Sequence, residues 1–223
     1  MPGLNFPNEP DHYREARNKL LKAEIDLRAQ VEQVAAMRRG LPVGGPVKED
    51  YAFEEMARDG QVRAVKLSEL FAGSKTSLFV YSWMYGPSMK TPCPMCSSFL
   101  DALDGNALQL NQRINLAVIA RSPVERITAF ARARGWKALR FLSSSKNSYN
   151  ADYFGETSKG DQYPMANVFV LRDGLIHHSW GSEMLYAGLE GDPRHLDMMW
   201  PLWNVLDTTP EGRGRDWYPP LNV

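Results

Sequence analysis

A continuous apolar segment that runs into a cysteine pair constrains the fold of this chain more than any other feature. Residues 77–85 (SLFVYSWMY) are apolar, aromatic or β-branched almost throughout, which is typical of a central strand covered on both faces. Gly86 and Pro87 end that segment, and residues 97–103 carry apolar side chains at helical spacing. The stretch therefore predicts a buried strand, a sharp loop and a helix.

Cys93 and Cys96 lie at the predicted start of this helix and are the only cysteines among 223 residues. Two cysteines at this spacing, where a strand passes into a helix, indicate a redox dithiol. The unpaired N–H groups and the positive dipole end of a first helical turn favour an anion. Cys93 is therefore the predicted low-pKa thiolate and Cys96 the resolving thiol. The alternative is a pair of buried cysteines that act as small core residues.

The rest of the pattern predicts one α/β domain with a four- or five-stranded mixed sheet. Its predicted elements are a hairpin over 51–56 and 61–66, a buried strand over 114–120, a helix over 123–134, an edge strand over 136–142, a hairpin over 167–171 and 175–180, and a last helix over 193–206. Pro201 falls inside that last helix and is expected to kink it. Residues 143–163 are polar and predict a long loop.

A long helix is predicted ahead of this domain, from Asp11 to Arg39, where apolar residues recur at steps of three and four. At 1.5 Å per residue it would span roughly 42 Å, which exceeds the width of a small domain. Two interpretations stay open: a helix strapped across its own fold, and an intersubunit helix that forms a homodimer. Gly40–Pro46 (GLPVGGP) predicts a linker, so the predicted domains are residues 1–46 and 47–223.

The dithiol segment, Cys93-Pro94-Met95-Cys96, resembles the active-site turn of the thioredoxin superfamily, where a proline follows the first cysteine in glutaredoxin-type sites. From about Asp11 to the C-terminus, the chain is similar to a bacterial family of thioredoxin-like proteins known as DUF899. The segments that carry this similarity are 13–27, 81–87, 93–96, 171–174 and 206–212. The resemblance implies a thioredoxin-like three-layer fold.

Further site residues follow from the same superfamily. Thioredoxin-like sites place a cis-proline before the strand that faces the dithiol, and Pro164 precedes the predicted strand 167–171. Pro164 comes about two residues earlier than expected when it is counted back from the turn at Asp173 and Gly174. Ala166 is therefore the alternative occupant of the cis-proline position. This departure weakens the expectation of the usual clamp on a peptide substrate.

Peroxiredoxins carry the pattern Pro-x-x-x-Thr-x-x-Cys, in which the threonine and an arginine hold the peroxide oxygens. Pro87 and Thr91 match the first spacing, whereas Cys93 comes one residue too soon. Arg121 follows a predicted strand at the edge of the sheet where ligands collect, and is the candidate positive charge. A thiol peroxidase is therefore one alternative function, and an ordinary surface or ion-paired arginine is the alternative role for Arg121.

Other side chains carry weaker signals. Trp83 and its neighbours Met84, Tyr85, Met89 and Met95 predict either a contact surface for a substrate or plain core. Tyr149, Tyr153 and Phe154 of the long loop are candidates for a lid over the dithiol. His177 and His178 point to opposite faces of a strand, and His195 has no partner in the sequence pattern. No metal site is predicted, because surface or hydrogen-bonded histidines are the default.

Composition narrows the function classes. The chain holds 26 basic and 26 acidic residues, which gives no electrostatic reason to expect binding to nucleic acid or to an anionic membrane. No apolar run approaches the roughly 20 residues of a membrane span, and the first residues lack a signal-peptide pattern. We therefore expect a cytoplasmic protein.

The predicted function is thiol–disulfide exchange, with Cys93 as nucleophile and Cys96 as resolving thiol. The predicted partner is a disulfide-bearing protein or a small thiol such as glutathione, and no cofactor is predicted. The alternative from another class is a non-enzymatic thioredoxin-fold binding or assembly protein, in which the long helix makes the contacts.

Overall fold

A computed structural model of the chain describes residues 4–187, 196–212, 214 and 217–221. It divides into two compact units, Met1–Pro42 and Val43–Val223. The division falls inside the predicted linker Gly40–Pro46. Among the described residues, no helix is both long and apolar enough to cross a membrane.

The first unit is built on one helix, α1 (Asp11–Arg39), with the predicted bounds. Asp11 lies in its first turn, and Arg38 and Arg39 lie in its last turn, an arrangement that complements the helix dipole. None of its residues is buried, and apolar members of the predicted stripe such as Leu20 and Leu27 are exposed. The homodimer through this helix stays a prediction.

The second unit contains a seven-stranded mixed sheet with the order β2-β1-β5-β4-β3-β6-β7. The strands are β1 (Ala52–Met56), β2 (Val62–Lys66), β3 (Ser77–Ser82), β4 (Asn115–Ala120), β5 (Phe141–Ser143), β6 (Met165–Arg172) and β7 (Leu175–Gly181). The α/β class is confirmed, and the sheet is larger than the predicted four or five strands because both hairpins join it.

Helices connect the parallel strands at the centre of the sheet. These connecting helices are α2 (Pro94–Leu110), between β3 and β4, and α3 (Val124–Arg134), between β4 and β5. The helix α4 (Tyr149–Asp152) follows β5, α5 (Pro201–Leu206) follows β7, and 3₁₀ helices lie at Leu67–Leu70, Glu183–Tyr186 and Asp197–Met199. β3 pairs in parallel with β4, and β4 with β5. Each of these two parallel pairs is thus joined by a helix, as in a β-α-β unit.

Two elements differ from the sequence prediction. The predicted edge strand over 136–142 is wrong in position: β5 lies between β1 and β4, because the first hairpin covers its outer side. Pro201 does not kink a helix but stands at the first position of α5, where its missing N–H is not needed. The predicted start of that helix, together with His195, lies outside the described residues.

The sheet separates two hydrophobic clusters, because successive side chains of a strand point to opposite faces. On one side, Tyr81 packs with Cys96, Phe99 and Trp83; we call this the dithiol face. On the other side, Val80 packs with residues that include Phe53, Leu142, Tyr149 and Phe169; we call this the opposite face.

The segment predicted as a long loop contributes to the opposite face. Tyr149 of α4 is completely buried there, with its ring 5.4 Å from that of Phe53, and Tyr153 packs against the same cluster. The hypothesis of a lid over the dithiol is therefore wrong for Tyr149 and Tyr153. Their aromatic rings instead complete a core on the other side of the sheet.

Candidate active site

The dithiol sits where the sequence predicted it, between a central strand and a helix N-terminus. Cys93 is the N-cap residue of α2, and Pro94 opens the helix. The Cys93 N–H donates to the Met84 carbonyl at 3.0 Å, which ties the helix start to the loop that follows β3. The Cys93 sulfur accepts from the Cys96 N–H at 3.5 Å.

The two thiols differ in exposure and in acidity. Cys93 is half-buried and Cys96 is 3% exposed; both are free. The Cys96 thiol and the backbone N–H groups of Cys96 and Met95 hydrogen-bond to the Cys93 sulfur, and they lower its pKa to about 6 although its partial burial opposes this. Burial and the neighbouring Cys93 raise the pKa of Cys96 well above its ordinary value.

Cys93 is therefore a thiolate and Cys96 a neutral thiol at neutral pH. The roles of Cys93 as nucleophile and Cys96 as resolving thiol stay predictions, for which this asymmetry is a requirement. The cause differs in part from the sequence argument, since the thiol of Cys96 lowers the pKa of Cys93 more than either backbone N–H group does.

Tyr81 is a site residue that sequence reasoning missed. Its side chain is only 2% exposed and belongs to the cluster around Cys96. The Tyr81 hydroxyl hydrogen-bonds to the Cys96 sulfur and lowers the pKa of that thiol, against the larger effect of burial. The available signal was a tyrosine at an inward position of the strand that leads to the dithiol.

An aromatic cluster supports the site from within. Trp83 is completely buried, with its ring 5.0 Å from that of Tyr85 and 5.4 Å from that of Trp136. Such burial makes Trp83 part of the core beneath the dithiol, so it offers no surface to a substrate. Met84, Met89 and Met95 are half-buried against this cluster and provide the apolar surroundings of Cys93.

Arg126 of α3 holds the loop that precedes Cys93. Its guanidinium donates to the carbonyl oxygens of Pro87 at 3.3 Å, of Lys90 at 2.7 Å and of Met89. The guanidinium carbon also lies 4.5 Å from the ring centroid of Tyr85. Arg126 is therefore a positioning residue, and it was not identified from the sequence.

Replacing Arg126 by alanine is expected to loosen this loop, because three carbonyl oxygens lose their donor. Loss of hydrogen bonds from a charged group on a partly exposed side chain should lower the unfolding temperature by about 2–8 °C. Thermal unfolding measures this change. The matched control is Arg132→Ala, since Arg132 is exposed on the same helix; equal unfolding temperatures for the two variants would contradict the proposed role.

Pro164 and Thr91 were also predicted to contact a substrate. Pro164 directly precedes β6, whose first residue pairs with Ser82 at the end of β3, and its peptide bond is trans. The cis geometry that the resemblance implies does not occur there, and Ala166 lies inside β6. Thr91 is exposed in the loop before Cys93. Contacts of Pro164 and Thr91 with a substrate stay predictions.

Arg121 is held by the segment that follows β5. Its Nε pairs with the Glu156 carboxylate at 2.8 Å, and Nη1 donates to the carbonyl oxygens of Ser144 and Asn147. This is the ion-paired alternative that the sequence left open. The guanidinium is engaged in contacts within the chain, which disfavours a role in holding peroxide.

His177 and His178 each contact a group other than the two cysteines. His177 Nδ1 lies 2.9 Å from the Gly44 carbonyl oxygen, and His178 Nε2 lies 2.9 Å from Asn167 Oδ1. Within the described part of the chain, no group of three or more His, Cys, Asp and Glu side chains is placed to hold a metal ion.

Solved structures similar to this chain include thioredoxin-fold proteins. A reduced 2-Cys peroxiredoxin of Plasmodium vivax is 20% identical, with 60% of this chain and 81% of that chain covered and a TM-score of 0.45. Thioredoxin peroxidase I of Plasmodium yoelii is 15% identical, with 80% and 97% covered and a TM-score of 0.48. The exposed lipoprotein thioredoxin Etrx1 of Streptococcus pneumoniae is 15% identical, with 57% and 87% covered and a TM-score of 0.40. Such identities and TM-scores say nothing about the activity of this chain.

Sequence comparison identifies the family directly. No curated protein matches the chain. The model of a family described as bacterial protein of unknown function (DUF899) matches residues 5–222, which is nearly the full length. The chain therefore belongs to the DUF899 family, as its resemblance to thioredoxin-like proteins of that family implied.

Proposed function

We propose that this protein is a thiol–disulfide oxidoreductase that uses the Cys93–Cys96 dithiol. One observation carries the proposal: a half-buried N-cap sulfur whose pKa is lowered to about 6 lies beside a buried thiol whose pKa is raised. A low-pKa thiolate reacts near neutral pH, and a protected second thiol resolves its adduct.

The reaction proceeds in two exchange steps. The Cys93 thiolate attacks one sulfur of a substrate disulfide, so that a mixed disulfide forms and the other substrate sulfur leaves as a thiolate. Cys96 then loses its proton and attacks the Cys93 sulfur, which releases the second substrate thiolate. The dithiol gives two electrons to the substrate and ends as a Cys93–Cys96 disulfide, which an external thiol must reduce before the next cycle.

The substrate class follows from the surroundings of Cys93. Half-buried methionines next to the sulfur form an adaptable apolar surface, which suits the apolar flank of an exposed disulfide in a protein. A small disulfide such as oxidised glutathione fits the same chemistry. Partner identity, the regenerating thiol and the cytoplasmic location stay predictions.

Tyr81 is expected to assist the second step, because its hydroxyl donates to the Cys96 sulfur as that thiol ionises. Tyr81→Phe removes a hydrogen bond to a developing charge, which should slow resolution by about 10- to 100-fold. Rapid-mixing kinetics with a chromogenic aryl disulfide separate the two steps, since each releases one coloured thiolate.

Only the second phase should change in Tyr81→Phe, since Cys93 makes the first attack. Tyr85→Phe is the matched control, because Tyr85 packs in the same aromatic cluster. Equal slowing in the two variants would assign the effect to packing rather than to the hydroxyl of Tyr81.

The function itself is tested by oxidation and turnover of the full chain. Incubation with oxidised glutathione should link Cys93 to Cys96, as peptide mass spectrometry detects, and the reduced protein should accelerate insulin reduction by dithiothreitol. A protein that forms only Cys93–glutathione and does not act on insulin would instead support the binding or assembly function.

A further inference from the structure

A cavity lies on the opposite face of the sheet, away from the dithiol. Its volume is about 760 Å³, and all of its described lining residues belong to the unit that starts at Val43. Met165 and Asn167 of β6 and His178 of β7 form its floor, while residues after α4 and after β7 form its walls. Its size falls within the usual range of small-molecule sites.

Aromatic rings form much of the wall. The Tyr153 ring stacks with His178 at 5.7 Å and 28°, and the Phe154 ring lies 5.7 Å from that of Tyr186. The Tyr186 hydroxyl donates to the Phe154 carbonyl oxygen at 2.9 Å. The two walls are thus joined to each other, which fixes the aromatic rings around the space.

Phe154, in this wall, has an unusual backbone conformation and an exposed side chain. Its φ is +56° and its side chain is 59% exposed. Left-handed backbone is rare and costly for a bulky aromatic residue, and this ring contributes little to the core. Met184 and Tyr186 of the same cavity are each 48% exposed. Exposed apolar side chains collected around one cavity are typical of a ligand site.

The polar groups of the cavity select the charge of a ligand. Asp152 already pairs with Lys48 at 3.1 Å, whereas the exposed Glu183 carboxylate has no hydrogen bond or ion pair among the described residues. No described lining residue is lysine or arginine. Among the described lining residues, the Glu183 carboxylate thus adds a negative charge that no lysine or arginine offsets, which favours a positively charged ligand over an anion.

His178 does not supply that missing positive charge. The amide nitrogen of Asn167 donates to the Tyr153 carbonyl oxygen at 3.3 Å, so its oxygen faces His178 Nε2 at 2.9 Å and accepts the Nε2 proton. Burial lowers the pKa of His178, although Glu183 opposes this. The floor is therefore a neutral, hydrogen-bonded pair.

We propose that this cavity binds a small organic cation, an ammonium or quaternary ammonium group carried on an apolar or aromatic body. The positive group lies near Glu183, and the body lies against Tyr153, Phe154 and Tyr186. The aromatic side chains hold the apolar body because its surface is removed from water, and the Glu183 carboxylate attracts the charged group. The site is separate from the dithiol and does not depend on the proposed oxidoreductase activity.

Calorimetric titration of the full chain with three probes tests this proposal. Benzyltrimethylammonium is the cation, benzyl alcohol its neutral counterpart and benzoate the anion. We expect saturable binding of the cation, weaker binding of the alcohol and none of benzoate. Cys93→Ser should bind the cation as the wild type does, which keeps this test independent of the redox function.

Two surface substitutions locate the site. Phe154→Ala should weaken cation binding by about 2- to 10-fold through loss of an aromatic contact with the body of the ligand, and Glu183→Gln by about 2- to 5-fold, since an exposed charge contributes little. Glu125→Gln is the control, because Glu125 is an exposed carboxylate on α3, which packs on the dithiol face. Thermal unfolding confirms that each variant is folded.

Several outcomes overturn the proposal. They are the absence of saturable cation binding to the wild type, benzoate binding as tight as that of the cation, and cation affinity that neither Phe154→Ala nor Glu183→Gln reduces below that of Glu125→Gln.

Discussion

Replacing Cys93 by serine is expected to reduce insulin reduction to the rate measured without protein. A serine hydroxyl stays protonated at neutral pH, so the attacking thiolate is lost. Cys96 cannot take over the first step, since it is 3% exposed and its pKa is raised well above the ordinary value. Turnover is measured with dithiothreitol as the electron donor.

Cys96→Ser is the matched variant, because it keeps the nucleophile and removes only the resolving thiol. It should reduce insulin more slowly than the wild type, because dithiothreitol must then resolve the mixed disulfide between Cys93 and the substrate; without dithiothreitol that mixed disulfide accumulates. With a chromogenic aryl disulfide, the wild type releases both halves of the reagent, Cys96→Ser releases one half and Cys93→Ser releases none rapidly. Equal turnover of the wild type and Cys93→Ser would remove the enzymatic function altogether.

The secondary structure around the dithiol could be predicted because it depends mainly on neighbouring residues in the sequence. The apolar strand, the proline after Cys93 and the helical spacing that follows are short-range signals, and the structure places Cys93 at the N-cap of α2 accordingly. The same holds for α1, whose bounds follow from its own apolar repeat and from Pro10 and Gly40 on either side.

Contacts between distant segments could not be predicted in this way. β5 has three residues, and its central place depends on pairing with β1 rather than on its own sequence. Arg126 reaches a loop 36 to 39 residues earlier in the chain, and an exposed-looking arginine on a helix gives no sign of that. The burial of Trp83 could not be predicted either. An aromatic residue near a dithiol gives the same sequence pattern whether it faces solvent or lies in the core.

The low pKa of Cys93 also depends on its contact with the Cys96 thiol. The spacing of the two cysteines does not say how large the effect of that contact is compared with the effect of the helix N-terminus. The sequence argument assigned the low pKa to the helix N-terminus, whereas the Cys96 thiol is the largest single cause of the lowered pKa of Cys93. These two causes are separable, because a substitution of Cys96 leaves the backbone N–H groups of α2 in place.

Cys96→Ala is therefore expected to raise the pKa of Cys93 from about 6 toward the free-cysteine value of ~8.5. Since the pKa of Cys93 is lowered in the folded protein, the reactive thiolate persists as pH falls until it is protonated near pH 6. In Cys96→Ala this loss should begin at higher pH. Cys96→Ser is the control, because its hydroxyl still donates to the Cys93 sulfur and should keep the midpoint closer to that of the wild type.

The midpoint is a better measure than the alkylation rate at one pH. At pH 7 a full rise to ~8.5 would cut the thiolate fraction by roughly 30-fold, but a thiolate of that pKa is about tenfold more nucleophilic, so the net rate should fall by at most about threefold. Near pH 6 the fall should be about tenfold, because protonation dominates there. Iodoacetamide alkylation of Cys93 across pH 5–9 resolves the midpoint. If Cys96→Ala keeps the midpoint of the wild type, the acidity of Cys93 comes from the helix terminus and not from its neighbouring thiol.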